Sequence, residues 1–260
     1  MDKEDVRRMR NERKKVGNLF LVKNSDTWDF YDFQMKQITY VGFEEVEVYK
    51  NCVRVVKTIE GKRLEGLYNN QAKVIMPIKW RKIRLYNNWI ECEDVGNKKG
   101  IFNYNFQIVL PIRNWKTIII EYDEVIGVTK FDKKYLYNWN GVCLAEKKDD
   151  VYRLNENFIR VKNSSGKYGL INRKADILFP ENYSLIELFS DAYGNQYLRA
   201  ELSETEQGLY NLNLDEIIPC ECSIDYRDLV WGREFKVLRK NNEETYFYVK
   251  EGVLVPVKAS

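Results

Sequence analysis

GLINRKADILFP, residues 169–180, opens on a glycine, carries asparagine at its fourth position and closes on a proline. The same frame returns as GLYNNQAKVIMP from Gly66, GIFNYNFQIVLP from Gly100 and GLYNLNLDEIIP from Gly208. Glycine and proline number only 14 and 5 in 260 residues, so four matches of both at one offset mark a repeat. Weaker copies stand in the same register: DFYDFQMKQITY from Asp29, YLYNWNGVCLAE from Tyr135 and TYFYVKEGVLVP from Thr245. The starts at 29, 66, 100, 135, 169, 208 and 245 are separated by steps of 37, 34, 35, 34, 39 and 37, a fixed period of repeat architectures.

Within each copy apolar residues alternate or run three to five long between Asn, Gly and Lys clusters, which predicts strands joined by turns. The fourth-position Asn69, Asn103, Asn138, Asn172 and Asn211 suit tight hairpins, because the side chain bonds the backbone ahead and Asn tolerates positive φ. The glycine is read as a strand opener, and the proline as the residue that stops the ladder for want of an N–H. Before each glycine lies a further strand, such as NCVRVVK from Asn51 or NFIRVKN from Asn157, with apolar third and fifth positions. After the proline, a ring three residues before Ile or Val (Phe43 with Val46, Trp80 with Ile83, Trp115 with Ile118, Tyr183 with Ile186) is expected to anchor neighbouring units.

These features resemble the WG-repeat family, also called KWG repeats, of bacterial β-rich proteins, over about residues 18–258. The chain departs from that pattern where Glu65, Lys99 and Gln207 precede the glycine; Tyr168 keeps it. The resemblance implies repeat scaffolding and interaction, and it carries over no catalytic residue. The expected fold is therefore all-β: residues 17–260 as one domain of seven units, either a propeller-like ring or an open β-superhelix. Residues 1–16 form an N-terminal basic arm whose acids-first, bases-last order predicts a short helix from Asp2 to about Lys15.

Composition narrows the chemistry. There is no histidine, which excludes imidazole-activated nucleophiles and histidine-ligated metals. The five cysteines are scattered through apolar strands, and Cys220 and Cys222 lack the spacing of a zinc site, so neither metal nor cofactor is expected. The net charge of +3 resides in the first fifteen residues; the remaining 35 basic and 35 acidic side chains cancel, which argues against a broad nucleic-acid surface. No apolar run is long enough for a membrane helix, and a cytoplasmic protein without membrane contact is expected.

The leading functional expectation is a non-catalytic protein-binding module, a scaffold or an inhibitor of another protein with an acidic surface. A carboxylate-dependent hydrolase and a nucleic-acid binder using the N-terminal arm are the alternatives. Candidate contact residues are of two kinds. Position four of the strand before each glycine holds Leu21, Arg54, Glu91, Gly127, Arg160, Arg199 and, one residue displaced, Lys236. Alternation turns these away from the core face, so Arg54, Arg160, Arg199 and Lys236 form either a docking strip or a set of surface ion pairs. Tyr193, Tyr226 and Trp231 lie where copies five and six run longer, and insertions in repeat proteins often serve the binding face. The other tryptophans, Trp28, Trp80, Trp89, Trp115 and Trp139, fall in repeat register and are expected in the core.

Overall fold

A computed structural model describes residues 13–50, 52–191, 193–226, 235–239, 244–250 and 253–257. Every named element among them is a strand, arranged in six sheets in chain order. The first sheet holds β1 (Arg13–Val16), β2 (Leu19–Asn24) and β3 (Thr27–Tyr31). The second holds β4 (Glu45–Tyr49), β5 (Cys52–Ile59), β6 (Lys62–Asn69) and β7 (Val74–Trp80). The third holds β8 (Lys82–Leu85), β9 (Trp89–Glu93), β10 (Lys99–Asn103) and β11 (Ile108–Arg113). The fourth holds β12 (Trp115–Glu121), β13 (Glu124–Thr129), β14 (Lys134–Asn138) and β15 (Cys143–Lys148). The fifth holds β16 (Asp150–Arg153), β17 (Phe158–Lys162), β18 (Tyr168–Asn172) and β19 (Ile177–Tyr183). The sixth has seven strands: β20 (Leu185–Ser190), β21 (Gln196–Ser203), β22 (Glu206–Tyr210), β23 (Glu216–Ile224), β24 (Phe235–Arg239), β25 (Glu244–Lys250) and β26 (Val253–Pro256).

All seven repeat starts fall within strands, namely β3, β6, β10, β14, β18, β22 and β25. The last two copies share one sheet because β23 runs on past Pro219 to serve both. The chain divides into two compact units, Met1–Val125 with Trp139–Val142, and Ile126–Asn138 with Cys143–Ser260.

The second and fifth sheets are covered on both faces. In the first unit Val53 and Val55 of β5 join Leu21, Phe30 and Phe43 of the preceding repeat, whereas Cys52 and Leu67 join Ile83, Ile90 and Phe102 of the following one. The second unit repeats this: Ile159 and Val161 pack with Leu136 and Leu144, and Phe158 and Leu170 with Ile186 and Leu198. Three of the ring anchors share a layer with their aliphatic partners: Phe43 with Val46, Trp80 with Ile83, and Tyr183 with Ile186. Each fully buried Leu, Ile or Phe contributes roughly 1.5–3 kcal/mol, so this stacking outweighs any surface ion pair.

The hairpin reading holds in detail. The side-chain oxygen of Asn69 accepts the N–H of Gln71 and of Lys73, each at 2.9 Å, and Asp32, Asn103, Asn172 and Asn211 do the same two and four residues ahead. Positive φ, however, falls three residues later, at Met35, Ala72, Phe106, Gly141, Ala175 and Leu214. Two clamped N–H groups force that residue left-handed whatever its side chain.

Three expectations are corrected. Arg13, Lys14 and Lys15 belong to β1, not to a helix; residues 2–12 of the expected helix lie outside the described residues. Val16 is buried and Lys14 lies 4.8 Å over the Trp28 ring, so pairing with β2 and packing override helix propensity. The prolines do not end the ladder: Pro77, Pro111, Pro180 and Pro219 sit inside β7, β11, β19 and β23, where the pairing register shifts. The bulge has a position with no ladder bond to make, which proline fills without leaving a donor unpaired because it has no N–H, and it drives the strand toward the facing glycine. A Cβ on Gly66 would lie 3.1 Å from the Met76 carbonyl oxygen, so close approach, not a tight opening turn, requires the glycine.

Candidate functional site

The position-four residues keep the expected register: Leu21, Arg54, Glu91, Arg160, Arg199 and Lys236 each face the residue after the repeat start, Phe30, Leu67, Ile101, Leu170, Leu209 and Tyr246. They turn away from one core face, yet Leu21 is buried and the Arg side chains are largely covered by groups of their own or the following sheet. Arg54 is held by Glu47 at 2.7 Å and by the buried Glu65 at 3.1 Å. Burial works against its charge, and the two carboxylates outweigh that and hold its pKa above the ordinary value. Arg199 repeats the arrangement with Glu187 at 3.1 Å and Glu201, and Lys236 pairs with Glu244. In the third sheet the same pair is reversed, Arg84 on β8 with Glu91 on β9.

Arg160 is different. Its guanidinium lies 4.8 Å from the Tyr168 ring centroid and 5.3 Å from Tyr152, and donates to the Ile186 carbonyl at 3.0 Å. Tyr226 turns inward: its ring covers Arg199 at 4.0 Å, its hydroxyl donates to the Gly208 carbonyl at 3.2 Å, and burial pushes its pKa up. Tyr193 is 67% exposed on the turn between β20 and β21. Trp231 lies outside the described residues. Among the described candidates Tyr193 and Lys236 are the most exposed, whereas Arg54 and Arg199 are held by carboxylates of their own sheets and Arg160 by a carbonyl of the following one.

A second group of residues gathers at one end of the sheets in the first unit. In an up-and-down four-stranded unit the first and third turns share an end, which brings Tyr49 and Lys50, Tyr86 to Asn88, Tyr104 to Phe106, and Trp139 together. Trp89 and Trp139 are thus surface residues rather than core, half-buried and stacked on each other at 6.2 Å, with Tyr86 against Trp89 at 4.9 Å. Tyr49 and Tyr104 stack at 6.2 Å, and Lys50 lies 4.8 Å over Tyr104. The Tyr104 hydroxyl donates to the Tyr86 carbonyl at 2.5 Å and Tyr49 to the Asn87 side chain at 3.1 Å, fixing both rings.

Beside these rings lies a cavity of about 540 Å³, lined by Lys50, Cys52, Asn69, Asn70, Ile75, Asn87, Asn88, Tyr104 and Phe106. It holds one cation, four amides and no carboxylate. Its thiol is not a nucleophile: burial, with Glu47 adding to it, pushes Cys52 up to about 11. Iodoacetamide at pH 8 is therefore expected to label the native chain at the exposed Cys143 while Cys52 and Cys92, the latter pushed up to about 12, stay unmodified. Mass spectrometry of peptides checks this, and early labelling of Cys52 would contradict it. The readable signal for this site was the doubled amides Asn69–Asn70 and Asn87–Asn88 beside fifth-position rings.

No family model and no curated protein matches the chain. Among solved structures it is similar to Kluyveromyces lactis Hsv2, at 11% identity over 94% of this chain and 96% of that one, with a TM-score of 0.26. It is also similar to BamB from Moraxella catarrhalis, at 11% identity over 73% and 68%, with a TM-score of 0.25. The N-terminal domain of Nup159 matches at 10% identity over 95% and 88%, with a TM-score of 0.27.

Proposed function

We propose that the chain is a non-catalytic, macromolecule-binding array of seven β-units that captures another protein on the turn end of its sheets. The observation that carries this reading is the group of rings Tyr49, Tyr86, Trp89, Tyr104 and Trp139, drawn from separate turns onto one end and fixed in place by stacking and hydrogen bonds. Aromatic side chains concentrate binding energy at protein interfaces, and rings already ordered lose little entropy on contact. A carboxylate hydrolase needs two facing acids, and the cavity beside the rings has none in its lining. The described end of the basic arm is occupied by its own sheet, Lys14 over Trp28 and Lys15 over Phe20, which weighs against an arm reserved for nucleic acid.

Site-specific photo-crosslinking tests the proposal. A photoreactive residue at Asn105, on the ring-bearing end, is compared with one at Val95, exposed on the opposite turns of the same sheet. After irradiation in an extract of the source cells, position 105 is expected to give a discrete adduct that protease removes and nuclease does not, and position 95 none. Equal adducts at both positions, or a nuclease-sensitive product, would overturn it.

A further inference from the structure

The cavity of the first unit has a counterpart in the second. There, an open recess of about 370 Å³ lies between the fifth and sixth sheets. Three of its residues match the first set at equal distances from the repeat starts, Asn172 for Asn69, Leu178 for Ile75 and Leu214 for Phe106, and Phe158 stands for Cys52 by strand pairing, opposite Asn172 as Cys52 is opposite Asn69. The repeat therefore builds the same recess twice, with a hydrophobic floor from the strands and a polar rim from the turns.

The rims share one electrostatic character. The first carries Lys50, the second Arg173 and Lys174, and neither lining contains a carboxylate although acids make up 39 of 260 residues. In the first cavity the Asn69 oxygen is spent on two backbone N–H groups and the Asn87 oxygen on the Tyr49 hydroxyl. What these two amides still offer is N–H, and among the described residues neither amino group has a protein acceptor. In the second cavity the Asn172 oxygen is likewise spent and its amino group donates to Asp176 at 2.7 Å, so the rim donors there are Lys174 and the amides of Asn157 and Asn213. Such a recess is rich in donors and poor in acceptors, so it complements a ligand of the opposite kind.

We infer that these two equivalent cavities receive the carboxylate side chains of an acidic polypeptide segment, one cavity in each compact unit. This rests on the protein-binding reading above and gives it a partner chemistry. The carboxylate meets ammonium and amide N–H at the rim, and the methylenes of Glu or the adjoining backbone meet the aliphatic and aromatic floor. Nucleic acid fits less well, because the Tyr104 ring is already covered by Tyr49 and Lys50, leaving no free pair of faces for bases.

The test measures fluorescence anisotropy of a labelled peptide of alternating Glu and Gly, against its Gln and Gly counterpart, with the full chain at about 150 mM salt. The Glu peptide is expected to bind at least about tenfold more tightly than the Gln peptide. Lys50→Glu and Lys174→Glu are each expected to weaken it about tenfold, and Lys98→Glu on an opposite turn to leave it unchanged. Lys50 already sits at φ 48° on an exposed turn, so Glu, with the same Cβ, adds no backbone strain, and an unchanged melting curve verifies the fold. Equal binding of the two peptides, indifference to both reversals, or full displacement by a thymine oligonucleotide would each overturn the inference. If the Glu peptide fails while the position-105 protein adduct persists, only the acidic chemistry falls; loss of that adduct removes the protein-binding reading itself.

Discussion

Gly169→Val is expected to lower the unfolding midpoint by roughly 6–12 °C, whereas Lys167→Ala, two residues earlier, moves it by under about 2 °C. A Cβ at position 169 would stand 2.7 Å from the Glu181 side chain, 3.0 Å from the Phe179 carbonyl oxygen and 3.1 Å from the Glu181 nitrogen. The glutamate side chain can swing aside. The backbone atoms cannot, because Tyr168 pairs with Tyr183 and Leu170 with Phe179 on either side of the bulge. Valine adds two more carbons to that contact, and overpacking of this kind costs about 1–3 kcal/mol before the ladder itself is disturbed. Lys167 contributes its backbone N–H to the Asn163 oxygen at 3.0 Å, a bond that alanine keeps. Gly169→Ala should fall between the two. Equal midpoints for the valine variant and Lys167→Ala would show that the bulge does not crowd the glycine.

The repeat was legible because scarce residues mark it. Glycine, proline and the fourth-position Asn recur at fixed offsets, and in the copies from Asp29 to Gly208 the fourth position fell at the same strand end. The reasons for those residues were less legible. A glycine required by a facing bulge looks in sequence like a glycine required by a turn, since only the partner strand distinguishes them. Left-handed backbone at Met35, Phe106 and Leu214 carries no compositional mark, because the clamp belongs to the Asp or Asn three residues before.

The candidate site was legible only in part. Alternation placed Arg54, Arg160 and Arg199 opposite one apolar face, yet a sheet covered on both sides has no solvent face for them to occupy. Their partners are also encoded by register: Glu47 opposes Arg54, and Glu187 opposes Arg199, across one hairpin. The cavities needed a further step. Their lining comes from turns of two successive sheets, about one repeat apart in sequence, and those turns meet only once strand direction assigns them to the same end.

Glu65→Ala is expected to destabilise the fold by about 3 kcal/mol, and Glu65→Gln by only about 1. Glu65 occupies the position before the repeat glycine, is 2% exposed, and reaches to the next sheet, where it accepts the Ile83 N–H at 2.6 Å. It also meets Arg54 at 3.1 Å. Alanine would leave a buried backbone donor without an acceptor and an inward-turned guanidinium with only the exposed Glu47. Glutamine keeps an oxygen for the N–H and loses mainly the ion pair. The chain already contains this alternative: Gln207, before Gly208, accepts the Ile224 N–H at 2.9 Å, and Ile224 stands where Ile83 stands in its own unit. The pre-glycine side chain is thus a strap between consecutive sheets, in which the acceptor matters more than the charge. Thermal unfolding of the two variants decides between these roles. A glutamine variant as unstable as the alanine variant would show that the Arg54 charge, not the Ile83 N–H, sets the requirement at position 65.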